Sequence, residues 1–307
     1  MSKERKILHS PYGKRSLAYI DTVGMWFCRR LTLQEKRFLR SAFEGRIEFR
    51  SAWVFKRPVF RVNGRLIPHL AAIKVQQPTL GGLKLLQTLF RDESPPQINK
   101  VDIALDVPTA RPSIARALQA EIVRVLHKKG HRHKHEVRYD RGTVYLGFRA
   151  KRYQIAFYSG RPSKLCESPS MHMEHRFQSV SAVREIGITS IDALLNFDTP
   201  KFFAKHLSFN ELNVVKLGRV VGGRRVARDR NFCANRRVRF AKLVLRAIYD
   251  DLGNAAFAYP HVPVLTYTLG ALRNLGVTGV RSALTPVHVS SLLPWPPPKL
   301  TWFGADQ

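Results

Sequence analysis

The strongest structural signal lies in residues 101–107, Val101-Asp102-Ile103-Ala104-Leu105-Asp106-Val107, where apolar side chains alternate strictly with Asp102, Ala104 and Asp106. A period of two predicts a β-strand with one face in a hydrophobic core. The strand is expected to span residues 98–107. Asp102 and Asp106 then emerge on the same face, about 13 Å apart at roughly 3.3 Å per residue. One sheet face therefore carries two carboxylates in a chain that has few acids.

A second strand with polar residues on one face is predicted at residues 171–177, Met-His-Met-Glu-His-Arg-Phe, where His172, Glu174 and Arg176 share a face. Asp102 and Asp106 are too far apart to chelate one ion alone, but each can join ligands from such a neighbouring strand. Carboxylate and imidazole ligands suit Mg²⁺ or Mn²⁺, the ions that polarise a scissile phosphate. The alternative is that each acid balances a nearby Arg or Lys on a solvated sheet face.

The rest of the chain alternates between strand and helix periods, which indicates an α+β fold. Before residue 98, the pattern predicts a strand at 17–27, a helix at 33–43, strands on both sides of a turn at Asn63-Gly64, and a helix at 83–90. A similar outline follows, in which a helix capped by Ser113 precedes several strands. We therefore expect two related sheet-plus-helix units, residues 1–97 and 98–207, and a basic, mainly helical extension, residues 208–307.

The net charge of the chain indicates which class of partner it binds. A total of 52 Lys and Arg against 22 Asp and Glu gives a formal net charge of +30 over 307 residues. Such a surplus repels itself unless a polyanion neutralises it, so nucleic acid is the expected partner. A hydrophobic content of 44% indicates a folded chain. The longest uncharged stretch, residues 252–272, contains prolines and polar side chains, so we expect no membrane span and a cytoplasmic protein.

The positive charge is concentrated in residues 216–246, which carry eleven Lys and Arg and a single acid. We expect this segment to follow the phosphates of DNA; the alternative is a solvated helix with its apolar side chains turned inward. The proline-rich tail from residue 286 is expected to be extended rather than packed. The predicted DNA contacts in the basic segment are Arg224, Arg225, Arg228, Arg230, Arg236, Arg237 and Arg239.

Four stretches resemble the Rep_trans family of rolling-circle replication initiators, which serve plasmids and have similar proteins in filamentous phages. The family pattern combines an Asp-x-x-x-Asp strand, a Gly-x-Thr-x-Tyr-x-Gly-x-Arg hairpin, a strand that carries a tyrosine and a strand that carries a glutamate. Order and spacing agree over residues 98–180. The matching stretches are VDIALD (101–106), GTVYLGFR (142–149), QIAFY (154–158) and MEHRF (173–177).

The resemblance implies an enzyme that nicks one DNA strand at a rolling-circle origin. Tyr158 would attack the phosphodiester, leaving a 5′-phosphotyrosyl link and a free 3′-hydroxyl, and the ends would later be rejoined. Arg149 and Arg176 would contact the phosphate. The implied ligands of Mg²⁺ or Mn²⁺, which could also accept the phenol proton, are Asp102, Asp106 and Glu174.

The implied partners are double-stranded origin DNA, single-stranded DNA, a host helicase and a host polymerase that extends the 3′-hydroxyl. A homodimer is a further option. The alternative function is a non-catalytic nucleic-acid-binding protein on the same fold. A tyrosine recombinase is disfavoured, because the Arg and His-x-x-Arg surroundings of its nucleophile are not evident.

The chain departs from the family pattern around the tyrosine. Ala156 stands where the family tends to have Arg, and Ser159-Gly160 stands where it has Asp or Asn followed by Lys. His172 stands where an Arg commonly precedes the glutamate by two residues. Arg152 and Arg161 are the candidates to replace the missing cations.

Other residues are alternatives for the same roles. Tyr158 could be an ordinary half-buried strand tyrosine, while Tyr145 and Tyr153 are weaker candidates for the nucleophile; Tyr153 is predicted on the opposite face. A second histidine cluster, HRHKHE at residues 131–136, places Arg132 and Lys134 between its histidines. Clustered cations disfavour a metal ion, so a basic loop is expected there.

Overall fold

The computed structural model describes residues 15–51, 59–62, 65–91, 95–126, 137–147, 153–221, 238–239, 241–246, 265–288, 293 and 299–303.

Twelve strands lie within the described residues. In chain order they are β1 (Leu17–Phe27), β2 (Ile47–Ser51), β3 (Val59–Val62), β4 (Arg65–Pro68), β5 (Ala71–Gln76), β6 (Gln97–Pro108), β7 (Val137–Asp140), β8 (Thr143–Leu146), β9 (Tyr153–Tyr158), β10 (Ser170–Phe177), β11 (Asn210–Leu212) and β12 (Leu284–Pro286).

Seven helices lie between these strands. They are α1 (Leu33–Ala42), α2 (Leu80–Leu89), α3 (Pro112–Val125), α4 (Val180–Glu185), α5 (Ile191–Leu195), α6 (Thr199–His206) and α7 (Val214–Val221). The C-terminal part adds helical residues at 238–239 and 241–246, a helix at Leu265–Asn274 and a 3-10 turn at Val280–Ala283.

Eight of the strands form one antiparallel sheet in the order β2-β5-β1-β6-β10-β9-β8-β7. The long strands β1 and β6 pair at its centre. Strand β1 is followed by a helix and strands β2 to β5, and β5 pairs with β1. In the same way, β6 is followed by a helix and strands β7 to β10, and β10 pairs with β6. The α+β class is thereby confirmed, and both halves of the sheet repeat one order of elements.

The alternation seen in the sequence determines which sheet face is buried under helices. Val101, Ile103, Leu105 and Val107 join one large hydrophobic cluster with side chains of α1, α2 and α3. Met171, Met173, His175 and Phe177 of β10, and Tyr153, Ile155 and Phe157 of β9, point the same way. The opposite face therefore receives the polar side chains of the same strands.

Most predicted elements are present, but one helix start was wrong. Thr32 caps α1 through a capping box with Glu35, as the predicted start implied. By contrast, α3 begins at Pro112 after Arg111, and Ser113 lies inside the helix. Proline suits the first helical turn because its missing N–H would have no partner there. Two predicted features lie outside the described residues. They are the turn at Asn63-Gly64 and Gly130, where the helix that follows Ser113 was expected to end.

A second hydrophobic cluster lies in the C-terminal part of the described residues. Leu217, Ala241, Leu245, Leu269 and Leu272 are buried together there. The expectation of an extended and unpacked tail was wrong for residues 299–303. Thr301 donates its N–H to the carbonyl of Ala18 at 2.8 Å, and Phe303 packs edge-on against Tyr19 with ring centroids 5.4 Å apart. The tail packs because its apolar side chains, such as Leu300 and Phe303, are partly or largely buried against the rest of the chain.

Among the helices in the part of the chain that the structure describes, none is long and apolar enough to cross a membrane.

Candidate active site

The sheet face opposite the helices forms one side of a polar groove of about 860 Å³. Strands β1, β5, β6, β8, β9 and β10 contribute to it, together with the turn at 140–142 and the loop after Tyr158. Seven cationic side chains line the groove besides its acids, which gives it a surplus of positive charge. They are Lys74, Lys100, Arg116, Arg141, Arg161, Lys164 and Arg176.

Tyr158 ends strand β9 and lines this groove. Its ring stacks on that of His172, its cross-strand partner on β10, with centroids 4.6 Å apart and planes inclined by 18°. Burial raises the pKa of the Tyr158 phenol well above its usual range, and the charges of Glu174, Asp21 and Asp106 raise it further. Arg176 acts in the opposite direction. The phenol is therefore neutral in this state.

Asp102 is buried on β6 and pairs with the Nζ of Lys100 at 2.9 Å. Gln178 also donates to its Oδ1 at 3.3 Å. Burial, and then the nearby charge of Glu174, raises the pKa of Asp102 to about 7; Lys100 and Arg176 act against this rise. A carboxyl group with this pKa exchanges its proton near neutral pH.

Glu174 lies on β10 between Asp102 and Asp106 in the register, opposite Ala104. Its Oε2 accepts a hydrogen bond of 2.5 Å from Arg176, which lies opposite Asp102 and over the ring of Tyr145. The adjacent carboxylates raise the pKa of Arg176 against the effect of burial, which lowers it. Arg176 thus holds its charge between two acids.

Asp106 is fully buried and belongs to a different set of contacts. His172 approaches its Oδ1 with Nδ1 at 2.7 Å, and Ser163 donates to its Oδ2 at 2.8 Å. The hydroxyl of Tyr19 donates to both oxygens, at 3.3 and 3.2 Å. The carboxylate therefore meets three neighbouring side chains that can donate to it.

The three predicted metal ligands share a sheet face, which alternation predicted for Asp102 and Asp106, but they do not form one cluster. Within the described residues, no group of three His, Cys, Asp or Glu side chains is arranged to hold a metal ion. Asp106 is enclosed by hydrogen-bond donors, whereas Asp102 and Glu174 each face a cation. As a three-ligand centre these residues do not fit, whereas Asp102 and Glu174 are near enough for the charge of Glu174 to raise the pKa of Asp102. The binding of Mg²⁺ or Mn²⁺ stays a prediction.

Two residues of the groove, Asp21 and Lys164, were not predicted from the sequence. Asp21 lies in β1 at the bulge between Ile20 and Thr22, where the pairing with β6 shifts register. Lys164, on the loop between β9 and β10, forms an ion pair with Asp21 at the groove. Bulges re-aim side chains and are common next to active sites. A single acid inside the apolar strand LAYIDTVGMWF was the available signal for Asp21.

The other predicted residues are distributed as follows. Arg161 is exposed at the groove, and its carbonyl accepts from His172 Nε2 at 2.8 Å. Arg239 is exposed on the C-terminal helical residues and does not line the groove. Tyr145 lines the groove, and Tyr153 lies in the core on the opposite face, as predicted. Predicted residues outside the described part are Arg149, Arg152, His131, His133, His135, Arg224, Arg225, Arg228, Arg230, Arg236 and Arg237.

Comparison with known proteins gives a weak structural likeness. No family model and no curated protein matches the chain. A solved structure of a rolling circle replication initiator protein from Geobacillus stearothermophilus is similar to it, with a TM-score of 0.36 and 12% identity. The likeness covers 64% of this chain and 87% of that one. These values are too low to assign an activity, so a functional assignment has to rest on the site itself.

Proposed function

We propose that the chain initiates rolling-circle replication by nicking one DNA strand through Tyr158. The oxygen of Tyr158 would attack the phosphorus atom and form a 5′-phosphotyrosyl bond, while the bond from phosphorus to the 3′ oxygen breaks. The phenol proton would pass to a nearby base, and the leaving 3′ oxygen would take up a proton to become a hydroxyl. Attack by that hydroxyl on the phosphotyrosine reverses the reaction and rejoins the ends.

One observation carries this proposal: a tyrosine lines a groove rich in cations, with carboxylates whose charges reach its phenol. A phenol is a weak nucleophile unless a base removes its proton. Glu174 and Asp21 are the candidates for this base, because their charges raise the pKa of Tyr158 most strongly after burial. The carboxylates that keep the phenol neutral in the free chain would also accept its proton when the phosphate of DNA binds.

Binding of the substrate would rest on the groove cations. Lys74 is on β5 and Lys164 pairs with Asp21 of β1, whereas Arg141 is in the turn between β7 and β8 and Arg116 is on α3. Cations on opposite sides of the tyrosine suit phosphates on both sides of a cleaved bond. Arg176, charged and partly buried, is the candidate to stabilise the negative charge that develops on the phosphate.

A divalent ion would be held by Asp102 and Glu174, in exchange for their present contacts with Lys100 and Arg176. Mg²⁺ or Mn²⁺ would there supply polarisation of the scissile phosphate. Release of a proton from Asp102 would accompany its binding, because the pKa of about 7 leaves this group partly protonated at neutral pH.

The partners follow from the reaction. Double-stranded origin DNA would have to expose a single strand at the nick, and a host helicase would extend the opening. A host polymerase would use the 3′-hydroxyl as its primer. These partners and a cytoplasmic location in a bacterial host belong to the proposal; a homodimer stays a prediction.

A second candidate function is sequence-independent binding of nucleic acid without cleavage. The raised pKa of Tyr158 favours it, because a neutral, partly buried phenol is a poor nucleophile. The groove cations would serve binding equally well in this case. The two functions differ in whether protein and DNA become covalently linked.

The test uses single-stranded oligonucleotides with a randomised central region, incubated with the chain and Mn²⁺ or Mg²⁺. We expect a protein–DNA adduct that survives denaturation, with the DNA joined through its 5′ phosphate at Tyr158. Tyr158→Phe should abolish the adduct. Tyr153→Phe is the matched control, since it removes a phenol oxygen from the same strand but on the core side. Binding without any adduct would favour the second function, and full adduct formation by Tyr158→Phe would exclude Tyr158 as the nucleophile.

A further inference from the structure

Three side chains form a row across neighbouring strands beneath the groove. Asp106 on β6 is the cross-strand partner of His172 on β10, and His172 is in turn the partner of Tyr158 on β9. Their side chains are also in contact: Asp106 with His172 at 2.7 Å, and the ring of His172 stacked on that of Tyr158. The tyrosine thus rests on a side chain that is itself anchored.

The imidazole of His172 is held at both ring nitrogens. Nδ1 contacts Asp106, and Nε2 lies 2.8 Å from the carbonyl oxygen of Arg161. A carbonyl oxygen only accepts hydrogen bonds, so Nε2 carries a hydrogen and donates it. Rotation of the ring would break both contacts at once. His172 is also only 2% exposed, so water cannot replace them.

Asp106 is anchored in the same manner. Ser163, which donates to it, accepts the N–H of Leu165, so the loop after β9 is tied to the carboxylate. Tyr19 reaches it from β1 on the other side. The contacts of Asp106 therefore join three strands and a loop, with no exposed edge from which an ion could approach, since its exposure is 0%.

We propose that the Asp106–His172 pair positions the Tyr158 ring for attack, and that Asp106 serves as the anchor of His172 and not as a metal ligand. The expected effect of this pair on the rate of adduct formation rests on the proposed nicking function. Tyr158 is the last residue of β9, and Ser159-Gly160 follows it, so the strand alone leaves its ring free to turn about two torsion angles. A flat, immobile partner against one face removes that freedom.

Misplacement of a nucleophile by about 1 Å can lower a rate by about 100-fold. We therefore expect His172→Gln, which keeps a donor toward Asp106 but lacks the ring, to lower the single-turnover rate of adduct formation by about 10- to 100-fold. Binding of the same oligonucleotide should change by less than about twofold, because His172 is buried beneath the tyrosine. A rate loss matched by an equal loss of binding would overturn the positioning role.

Asp106→Asn separates an anchor from a metal ligand. The amide is nearly isosteric and can still form a hydrogen bond with Nδ1 of His172, but it is a poor ligand for Mg²⁺ or Mn²⁺. As an anchor, Asp106→Asn should lower the rate while the Mn²⁺ concentration for half-maximal adduct formation stays the same. A rise of that concentration by about tenfold or more would show that Asp106 binds the ion and would overturn the proposal.

A measurement without DNA decides whether His172 fixes the ring, even if no adduct ever forms. 3-Fluorotyrosine at position 158 reports ring orientation through its ¹⁹F resonance, and His172→Gln should shift and narrow this resonance toward that of an exposed tyrosine. His69→Gln is the matched control, since His69 is equally buried and lies 4.2 Å from the ring of Trp26. An unchanged ¹⁹F spectrum in His172→Gln would overturn the proposal, whereas absence of any adduct in the unmodified chain would overturn only the nicking function.

Discussion

Glu174 accepts a hydrogen bond of 2.5 Å from Arg176, two residues further along the same strand, in a place where both side chains are mostly enclosed. The same arrangement recurs at the sheet edge, where Arg50 contacts Glu48 at 2.9 Å with exposed fractions of 43% and 52%. Two ion pairs of identical spacing thus differ chiefly in burial, which allows the effect of burial on stability to be measured.

The first prediction concerns the buried pair. Arg176→Met should lower the free energy of unfolding by about 2–3 kcal/mol, because it leaves Glu174 buried without its cation. The loss falls below that of a fully enclosed pair because 26% of the Arg176 side chain is exposed. Urea denaturation followed by circular dichroism measures it. Arg50→Met is the control and should cost less than about 0.5 kcal/mol; equal losses at both sites would contradict the prediction.

The second prediction concerns pH. Asp102 has a pKa of about 7 in the folded chain, whereas an aspartate in the unfolded chain has its ordinary pKa of 3.8. The folded state therefore holds more protons than the unfolded state between these values, so stability falls as the pH rises from about 4 to 7. The slope is at most about 1.4 kcal/mol per pH unit, and Asp102→Asn should remove this contribution. Urea denaturation at several pH values tests this.

Asp140→Asn is the control for the pH series, because Asp140 lines the same groove but is exposed. Its pH dependence should match that of the unmodified chain. A slope that Asp102→Asn leaves unchanged would show that another group takes up the proton.

The third prediction concerns a buried amide that holds the groove wall. Gln119 on α3 donates to the carbonyls of Gly142 and Phe157, at 3.0 and 3.1 Å, and accepts from the hydroxyl of Ser159 at 2.6 Å. Gln119→Leu should cost about 2 kcal/mol or more, because it leaves buried polar groups unpaired. Gln119→Glu, which retains the acceptor for Ser159, separates that contact from the other two. Unchanged stability in Gln119→Leu would mean that water satisfies these groups.

Much of the fold could be predicted from local pattern. Strand β1 begins and ends at the predicted residues, since a strand period over many residues is a strong signal. The six-residue helix α4 was missed, because so short a helix leaves little periodicity to detect. The order of strands in the sheet was also out of reach, since it depends on pairings between distant segments.

The site was predictable only in part, for a physical reason. Alternation placed Asp102 and Asp106 on one face of their strand, and His172, Glu174 and Arg176 on one face of theirs, because that follows from strand geometry alone. The partners of each carboxylate could not be predicted. Asp106 meets Tyr19 from 87 residues away and Ser163 from 57 residues away, and no local pattern encodes such contacts.

The fourth prediction concerns the groove cations and salt. If Arg116 and Arg141 contact phosphates, replacing either with Gln should reduce the slope of log affinity against log salt concentration by about 0.7, the contribution of one phosphate contact on a single strand. Fluorescence anisotropy with a labelled 20-nucleotide oligothymidine measures the slope. Arg184→Gln is the control, because Arg184 is exposed on α4, a helix that packs on the opposite side of the sheet. An equal reduction of the slope in Arg184→Gln would mean that affinity depends on total charge. The groove would then not be the binding surface.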